Sequence, residues 1–409
     1  MGIYGLLGEK LSHSYSPLIH SILGDYPYAL TELSPEAARE FLQRHEFDAY
    51  NVTIPYKKLA YECCDILSDE AKAIGSVNTL VVGKDGRLYG YNTDAFGFAY
   101  MLELLGADPA GKKCIVLGNG GASVTVQYVL NKMGASSVTV ISRRGPITYD
   151  MLDSFYDAQI IVNATPVGMY PQNGEGLIDL DSFTCCEAVI DLIYNPCKTR
   201  LLLDAEKLGI PCINGLSMLV AQAKRAYELF FDTRRDNGII SEAVKRISAD
   251  TLNITLVGMP GCGKSTVGRL ISALTGRELL DTDELICKKT GRTPADIIRS
   301  EGEHKFRKIE SLVLREVSKL SGKIIATGGG IVTVEENFDP LRENSTVFYI
   351  QRDTEELATE DRPLSANGGL AALYEKRHPL YKQVSDHTVV SRDAEQTARR
   401  ILELSGINV

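Results

Sequence analysis

The sequence predicts an α/β protein built on parallel sheets, and two series of short apolar runs carry that prediction. Runs at 114–117, 138–141 and 160–163 are separated by segments of helical length, as in successive βαβ units. A second series starts at 252–258 and continues at 324–327. The first run of each series leads into a glycine-rich turn, which is typical of a strand that delivers the chain to a bound phosphate. We therefore expect two nucleotide-binding α/β units in tandem.

The residues ahead of the first series form a lobe of their own, with strand-like runs at 3–8 ("IYGLLG") and 49–54 ("AYNVTI"). A polar turn at 232–238 and a helix-like piece at 240–248 separate the two series. The predicted organisation is a first part at 1–246, a linker at 247–252 and a second part at 253–409. Within the first part we expect a substrate lobe at about 1–99 and 217–246, and a dinucleotide-binding Rossmann domain at 100–216.

Composition narrows the function classes. The formal net charge of −9 argues against a protein that coats nucleic acid, although it leaves anionic small substrates open. The nine cysteines contain no C-x-x-C pair, which favours reduced thiols in the cytoplasm. No apolar run reaches the ~18 residues of a membrane span, and the first residues enter a strand-like run without a signal peptide. These features predict a cytoplasmic protein.

The glycine turn of the second series, "GMPGCGKS" at 258–265, fits the pattern G-x-x-x-x-G-K-[ST]. A strand-like run precedes it and a helical run follows it, as a phosphate-binding loop requires. Lys264 would place a positive charge on the phosphates, and Ser265 would bind Mg²⁺. Asp281 follows the next strand and could reach the same ion, although helix capping is an alternative for it. The predicted ATP contacts are Gly261, Cys262, Gly263, Lys264, Ser265 and Thr266.

Further motifs follow this loop in a fixed order: Asp283, Arg307 in "FRK", the triplet Gly328–Gly330, Arg362 in "DRPLS" and Arg377 in "KRHPLY". Taken singly, each arginine would more often be a surface charge and the triplet a flexible turn. Together they resemble the shikimate kinase family over nearly all of 252–409. That family has a parallel-sheet fold like that of the nucleoside monophosphate kinases.

The resemblance implies roles for these residues. Asp283, Arg307, Gly329 and Arg377 would hold shikimate, with the two guanidiniums suited to its carboxylate. Lys264 and Arg362 would be catalytic, and Arg362 would also contact ATP as the lid arginine. The lid stretch 356–365 departs from the family, because it lacks a further arginine and carries Ser365 in place of a leucine.

The turn of the first series, "GNGGASV" at 118–124, has Ser123 where G-x-G-x-x-G expects its third glycine. The first two glycines matter most for close approach to a pyrophosphate, so the turn remains a dinucleotide candidate. The next strand ends in Ser142, Arg143 and Arg144 and not in the acid that binds the ribose of NAD. Two guanidiniums suit a 2′-phosphate, which predicts NADP; solvated charges at a strand end are the alternative.

The N-terminal lobe carries polar clusters bounded by apolar runs, and several such clusters predict a lined cleft. Ser14 and Ser16 alternate in what we expect to be an extended stretch before Pro17, and an ordinary serine-rich turn or helix cap is the alternative. The other clusters contain Asn51, Thr53 and Lys57 after one strand, Asn78 in "GSVNT", and Asn92 and Asp94 in "YNTDAF". A lysine ammonium beside a carboxylate can donate the proton that ketone reduction requires.

These motifs resemble the shikimate dehydrogenase family over about 1–245, joined by "NATPVGM" (163–169), "DLIYNP" (191–196) and "NGLSMLVAQA" (214–223). The resemblance implies that Lys57 and Asp94 form the acid–base pair. It implies shikimate contacts at Ser14, Ser16, Thr53, Asn78, Asp94, Tyr194 and Gln222. It implies NADP contacts at Gly118, Asn119, Gly120, Gly121, Ala122, Ser142, Arg143, Arg144, Leu192 and Gly215. Ser142 replaces the usual asparagine, and Val124 stands where many members have arginine.

The two resemblances imply consecutive reactions. NADPH would reduce 3-dehydroshikimate to shikimate, and ATP with Mg²⁺ would then phosphorylate shikimate. Two alternatives stay open: quinate as a substrate of the first part, or one part kept as a non-catalytic regulatory module. The predicted partners are the small-molecule substrates, with a homodimer as a possible assembly and with neither nucleic acid nor membrane.

Overall fold

The computed structural model describes residues 2–11, 14–353 and 369–407, and the chain divides into two compact units. The first unit contains Met1–Val167, Leu177–Tyr194 and Asp204–Ile247. The second contains Gly168–Gly176, Asn195–Leu203 and Ser248–Val409. The α/β fold class is confirmed in both units, each of which contains a five-stranded parallel sheet.

The strands up to residue 213 are β1 (Tyr4–Gly8), β2 (Ala29–Glu32), β3 (Ala49–Val52), β4 (Ile66–Leu67), β5 (Thr79–Val82), β6 (Leu88–Tyr91), β7 (Lys113–Leu117), β8 (Ser137–Ile141), β9 (Ile160–Asn163), β10 (Ala188–Asp191) and β11 (Cys212–Ile213). The helices up to residue 251 are α1 (Ser16–Leu23), α2 (Pro35–Arg44), α3 (Lys57–Cys63), α4 (Asp69–Ile74), α5 (Asp94–Leu105), α6 (Gly121–Lys132), α7 (Arg200–Lys207), α8 (Leu216–Phe230) and α9 (Gly238–Thr251).

The later strands are β12 (Asn253–Val257), β13 (Leu279–Asp281), β14 (Ile324–Ala326), β15 (Ser345–Gln351) and β16 (His387–Val390). The later helices are α10 (Lys264–Thr275), α11 (Thr282–Thr290), α12 (Pro294–Glu301), α13 (Glu303–Val317), α14 (Phe338–Arg342), α15 (Leu370–Val384) and α16 (Ala394–Leu404).

The N-terminal lobe is built on a six-stranded sheet in the order β2-β1-β3-β5-β6-β4. β1 pairs in parallel with β2 and β3, whereas β5 runs antiparallel to β3 and β6. Leu7, Val52 and Leu80 are buried in the core beneath this sheet. The polar residues that follow β3, precede β5 and follow β6 are thereby carried to one end of the lobe, because β5 is reversed.

The dinucleotide-binding sheet has the order β11-β10-β9-β7-β8, and its paired strands are all parallel. Strands buried on both faces are expected to be continuously apolar, and β7 after Lys113 and β9 before Asn163 follow that rule. The strand order reverses at β7, with β8 on one side and β9 on the other. The glycine turn that follows Leu117 therefore lies at the switch point, where open α/β sheets bind ligands.

The second unit has a five-stranded parallel sheet in the order β13-β14-β12-β15-β16. Every residue of the central strand β12 is buried, and each fully buried Leu or Ile side chain contributes about 1.5–3 kcal/mol. The carboxyl ends of β12, β13 and β14 meet at one edge. They carry the phosphate loop, Asp281 and the glycine triplet to the same place.

The predicted linker at 247–252 coincides with the last turn of α9, which continues to Thr251 directly before β12. The compact units separate at Ile247 and Ser248. The predicted division at residues 99 and 100 falls within α5, so this helix belongs to both the lobe and the dinucleotide-binding domain as we drew them.

Candidate active sites

A cavity of about 640 Å³ in the first unit brings together the predicted substrate residues. Its lining includes Ser14, Ser16, Thr53, Lys57, Asn78, Asp94, Tyr194 and Gln222. Three residues from the predicted cofactor set, Ala122, Leu192 and Gly215, line the same cavity. Residues of both sheets therefore face one another across a single space, which a dinucleotide and a small substrate must share for transfer between them.

Two helix starts create the acid–base pair. Lys57 is the first residue of α3 and Asp94 is the first residue of α5. Lys57 Nζ donates to Asp94 Oδ2 at 2.5 Å. The Lys57 side chain is 30% exposed and that of Asp94 is 17% exposed, so both are half-buried yet open to the cavity. A carboxylate at a helix N-terminus is also favoured by the helix dipole.

Asn78 connects this pair to the rest of the cleft. Its Nδ2 donates to Asp94 Oδ1 at 2.9 Å and to Gln222 Oε1 at 3.4 Å. The backbone N–H of Thr93 donates to Asn78 Oδ1 at 2.7 Å. Because a backbone N–H can only donate, this bond fixes the orientation of the Asn78 amide. The amide nitrogen must therefore face Asp94.

The two serines lie in a turn and not in the extended stretch that the sequence suggested. Ser14 N donates to Leu11 O at 2.9 Å, and Ser16 already begins α1. Pro17 explains the difference, since proline is favoured in the first turn of a helix. Ser16 N donates to Ser14 Oγ at 3.2 Å, and both serines still line the cavity. The Ser14 hydroxyl keeps its own proton to donate.

Tyr194 closes another side of the cavity. Burial raises the pKa of its phenol above the usual range, so the group stays neutral and can donate a hydrogen bond. Its ring lies 5.5 Å from that of Tyr15, measured between centroids.

The glycine turn has the geometry of a nucleotide-binding loop. Gly118 has a φ of 100°, and a Cβ there would lie 2.7 Å from Thr165 Cγ2, so no other residue fits without movement. A Cβ on Gly120 or Gly121 would meet nothing within 4 Å, which leaves open space in front of the start of α6. Ser123 is fully buried in the first turn of α6, in the packing role of the third glycine. The turn therefore fits a pyrophosphate.

The loop after β8 carries the two arginines. Asn119 Nδ2 and Ser142 Oγ both donate to Arg144 O at 2.9 Å. Ser142 is buried, whereas Arg143 and Arg144 are exposed. In the described part of the chain, neither guanidinium forms an ion pair. Ser142 and Asn119 hold the loop, and the two positive charges are available to a ligand.

Leu192 and Gly215 lie in close contact. A Cβ on Gly215 would lie 2.0 Å from Leu192 O, so only glycine lets α8 start against the end of β10. Of the remaining polar residues named from the sequence, Asn92 lies outside this cleft. Its Nδ2 donates to Ser76 O at 3.1 Å and holds a turn.

A larger cavity of about 1100 Å³ also occurs in the first unit but lacks the acid–base pair. Its buried charges, Lys224 and Glu228, satisfy one another through a 2.7 Å ion pair. The chemistry of the first unit is therefore assigned to the smaller cleft.

In the second unit, a cavity of about 680 Å³ joins the phosphate loop to the predicted shikimate residues. Its lining includes Gly261, Gly263, Lys264, Ser265, Thr266, Asp281, Asp283, Arg307, Gly329 and Arg377. Cys262 does not line it, because its side chain is buried in the hydrophobic core. Arg362 lies outside the described residues.

The phosphate loop depends on glycines with positive φ, 87° at Gly261 and 95° at Gly263. Lys264 Nζ donates to Gly258 O at 2.8 Å and to Met259 O at 3.0 Å. The buried ammonium thus lies against the loop itself, at the start of α10. An anion at this helix N-terminus would meet both the dipole and this charge.

The two carboxylate oxygens of Asp281 have different hydrogen-bond partners. Oδ1 accepts the backbone N–H groups of Asp283 at 3.0 Å and Glu284 at 3.4 Å, so the helix-capping alternative applies to this oxygen. Oδ2 accepts the Ser265 hydroxyl at 2.6 Å. A hydroxyl and a carboxylate oxygen side by side suit Mg²⁺, which completes its coordination with phosphate oxygens and water.

Arg307 lies between two carboxylates that the sequence analysis did not single out. Its Nη1 donates to Glu310 Oε2 at 2.7 Å and its Nη2 to Glu303 Oε1 at 2.8 Å. Burial acts to lower the pKa of Arg307, but Glu310 and Glu303 outweigh it and raise the pKa. Glu310 is fully buried, and burial raises its pKa. Glu310 was missed, although a spacing of three residues on α13 puts it on the same face as Arg307.

The glycine triplet makes room for neighbouring side chains. A Cβ on Gly330 would lie 2.0 Å from Arg307 Nη2, and one on Gly328 would lie 2.3 Å from Glu310 Oε1. Gly329 O accepts Arg377 Nη1 at 3.1 Å. The triplet is thus packed against both arginines, and the alternative of a flexible turn does not describe it.

Comparison with known proteins gives this geometry a family. Residues 6–80 match the shikimate dehydrogenase substrate binding domain, and residues 260–405 match shikimate kinase. A shikimate dehydrogenase (NADP(+)) from Caldicellulosiruptor bescii is 38% identical over 255 residues, which are 56% of this chain and 88% of that protein. The chain belongs to the shikimate dehydrogenase family. Its C-terminal part adds a shikimate kinase domain.

Solved structures agree for the dehydrogenase part. The chorismate mutase/shikimate 5-dehydrogenase fusion protein of Clostridium acetobutylicum is 34% identical, with a TM-score of 0.57 over 60% of this chain and 97% of that chain. A shikimate 5-dehydrogenase of Thermus thermophilus in complex with NADP(H) and shikimate is 31% identical, with a TM-score of 0.54 over 60% and 99%. An oxidoreductase and a kinase are therefore joined in one chain.

The described residues offer neither a membrane-spanning helix nor a preformed metal cluster. None of the helices there is long and apolar enough to cross a bilayer. The same residues contain no cluster of three or more His, Cys, Asp or Glu side chains able to hold a metal ion.

Proposed function

We propose that the chain catalyses two consecutive reactions, reduction of 3-dehydroshikimate to shikimate with NADPH and transfer of the ATP γ-phosphate to the shikimate 3-hydroxyl. The observation that carries the first reaction is the Lys57–Asp94 pair at 2.5 Å in a cavity shared with Ala122 from the glycine turn. The second rests on one cavity that contains both the phosphate loop and the two buried arginines.

In the reduction, bound NADPH supplies the hydride to the carbonyl carbon. Lys57 donates a proton from its ammonium to the carbonyl oxygen, and Asp94 holds that ammonium in place. Ser14, Ser16 and Tyr194 offer hydroxyl donors to the substrate carboxylate. Thr53, Asn78 and Gln222 offer bonds to its ring hydroxyls.

NADP preference rests on the exposed guanidiniums of Arg143 and Arg144 beside the turn at 118–122. A 2′-phosphate carries the charge that they would neutralise. Asn119 and Ser142 contribute by holding the backbone of this loop. Leu192 and Gly215 would shape the opposite wall of the cofactor site.

In the kinase reaction, Mg²⁺ held near Ser265 and Asp281 would neutralise charge on the ATP phosphates. Lys264 places its ammonium at the same phosphates, and the backbone of Gly261–Thr266 surrounds them. Arg307 and Arg377 hold the shikimate carboxylate, and Asp283 accepts bonds from its hydroxyls. Gly329 positions Arg377 through its carbonyl. The lid role of Arg362 belongs to this proposal through the family resemblance.

The proposal also keeps the organisation inferred from sequence: a dehydrogenase at 1–246 and a kinase at 253–409, in a cytoplasmic protein that can assemble as a homodimer. Nucleic acid and membrane are not among its proposed partners. The short connection between the two parts supports this organisation, because α9 leads directly into β12.

Separate assays of the full chain test each reaction. NADPH loss with 3-dehydroshikimate should disappear in Lys57→Ala, and ADP formation with shikimate should disappear in Lys264→Ala. Each variant should keep the other activity, which serves as its folding control. Absence of one activity in the wild type would instead support a regulatory module.

The same assay decides between shikimate and quinate. Oxidation of shikimate with NADP⁺ is compared with oxidation of quinate with NAD⁺, each as kcat/KM. A higher value for quinate with NAD⁺ would overturn the substrate assignment.

A further inference from the structure

A row of hydrogen-bonded side chains runs beneath the acid–base pair of the dehydrogenase. Tyr28 OH donates to Asn51 Oδ1 at 2.8 Å, and Asn51 Nδ2 donates to Thr79 Oγ1 at 3.2 Å. Thr79 Oγ1 donates to Asn78 Oδ1 at 3.2 Å, and Asn78 Nδ2 donates to Asp94 Oδ1 at 2.9 Å. The row thus joins β3, β5 and the residue before β2 to the carboxylate that faces Lys57.

The direction of the row is fixed by backbone groups. The backbone N–H of Thr93 can only donate, so the Asn78 side-chain atom that lies 2.7 Å from Thr93 N must be the oxygen Oδ1. The carbonyl of Asn78 can only accept, and it lies 3.4 Å from Nδ2 of Asn51. Oδ1 of Asn51 must then face Tyr28, whose hydroxyl is the donor. The amides of Asn51 and Asn78 therefore both donate toward Asp94, and the Thr79 hydroxyl between them lies within reach of Asn78 Oδ1 and Thr93 Oγ1.

The side chains that form these hydrogen bonds are buried, so each bond is important for holding the arrangement. Asn51 is 5% exposed, Asn78 is 3% exposed and Thr79 is 0% exposed. A buried polar group that loses its partner cannot turn to water instead, so such networks hold one arrangement when complete. Thr79 does not line the cleft, and its hydroxyl lies 3.2 Å from Asn78 Oδ1 and 3.1 Å from Thr93 Oγ1.

The starting point of the row is anchored by aromatic packing. The ring of Tyr28 stacks on His20, with centroids 3.8 Å apart and 12° between planes. The Nδ1 atom of His20 is hydrogen-bonded to Tyr26 OH. Burial raises the pKa of Tyr28 well above its usual value, so its phenol keeps the proton that it donates. Burial lowers the pKa of His20 to about 3, so the stacked ring stays neutral.

We propose that Thr79, Asn51 and Tyr28 are positioning residues for proton transfer in the dehydrogenase reaction. Their row holds Oδ1 of Asp94 through Asn78, which leaves Oδ2 to orient the Lys57 ammonium toward the substrate carbonyl. The inference rests on the proposed dehydrogenase function and extends it to Thr79 and Tyr28, which do not line the cleft, and to Asn51, which lines it.

The test compares Thr79→Val, which removes only the hydroxyl, with Thr79→Ser, which keeps it. Both are made in the full chain, and shikimate oxidation by NADP⁺ is followed in H₂O and D₂O. We expect Thr79→Val to lower kcat about tenfold, with both KM values changed less than about twofold. The solvent isotope effect on kcat should rise, because a poorly oriented lysine makes proton transfer slower. Thr79→Ser should restore kcat.

Three outcomes would overturn the inference: unchanged kcat and isotope effect in Thr79→Val, a loss confined to KM, or an equal loss in Thr79→Ser. Kinase activity of the same samples and a thermal melt report folding. If Thr79→Val does not fold, Tyr28→Phe decides, because it keeps the ring on His20 and removes the first donor. An inactive wild type would overturn the proposed function itself, which separates the two failures.

Discussion

Removal of the two loop arginines should change cofactor choice without changing the reaction. Arg143→Ala and Arg144→Ala each delete an exposed guanidinium that makes no ion pair within the described chain. The backbone of this loop does not depend on these charges, because Asn119 and Ser142 hold it through the Arg144 carbonyl. Each substitution therefore tests the 2′-phosphate contact alone.

The expected magnitude follows from exposure. A hydrogen bond to a charged group contributes about 1.5–3 kcal/mol when shielded, whereas exposed ion pairs contribute about 0.2–1 kcal/mol. For exposed arginines on an ordered loop we expect about 1 kcal/mol each, or about fivefold in kcat/KM for NADP⁺. The double variant should lose about 30-fold if the two contacts are additive.

The assay is shikimate oxidation at fixed ionic strength, with kcat/KM measured for NADP⁺ and for NAD⁺. The value for NAD⁺ should stay within about twofold, since NAD⁺ has no 2′-phosphate. Arg87→Ala is the matched control, because Arg87 pairs with Asp85 at 2.6 Å and lies outside the cleft lining. An equal loss for NADP⁺ and NAD⁺, or no loss for either, would refute the assignment of these arginines.

Three further predictions concern other parts of the chain. Arg377→Lys should raise the KM for shikimate about tenfold in the kinase assay and leave the KM for ATP unchanged, because lysine cannot form a bidentate bond; equal changes in both would contradict it. Gly330→Ala should reduce kinase activity strongly while the dehydrogenase stays active, since its Cβ would lie 2.0 Å from Arg307 Nη2. His20 has a pKa of about 3 in the folded protein against 6.5 unfolded, so its stabilising effect is present above pH 6.5 and is lost as the pH falls toward 3. When the pH is lowered from 7 to 5, the unfolding free energy of wild type should therefore fall by about 2 kcal/mol more than that of His20→Phe, as measured by urea titration. An equal fall in the two proteins would contradict a buried neutral His20.

The fold was predictable because its signals are local. Buried parallel strands are continuous apolar runs, and both glycine turns are identified by their spacing. The extended stretch expected at Ser14 and Ser16 was wrong. The alternation of the serines suggested a strand, whereas Pro17 favours the first turn of a helix, and α1 begins at Ser16. Asn92 was placed in the cleft by its neighbours, although its side chain turns away to Ser76.

The features of the site that the sequence did not predict depend on pairs of residues that are far apart along the chain. Tyr28 precedes β2 and Asn51 lies in β3, and their side chains meet although β1 lies between these two strands in the sheet. Thr79 looks like an ordinary strand residue until the reversed strand β5 brings it beside Asn51. Glu310 could have been found, because its spacing from Arg307 is a helical one. The shielding of these groups from water is a property of the packed fold alone.

The most direct test of the central claim is one reaction mixture that contains the full chain, 3-dehydroshikimate, NADPH, ATP and Mg²⁺, with NADPH loss and ADP formation followed separately. Wild type should form one ADP for each NADPH consumed. Lys264→Ala should consume NADPH and form no ADP, and Lys57→Ala should form ADP only when shikimate is added. ADP formation by Lys57→Ala from 3-dehydroshikimate alone, or NADPH loss in wild type without ADP, would contradict two consecutive activities in one chain.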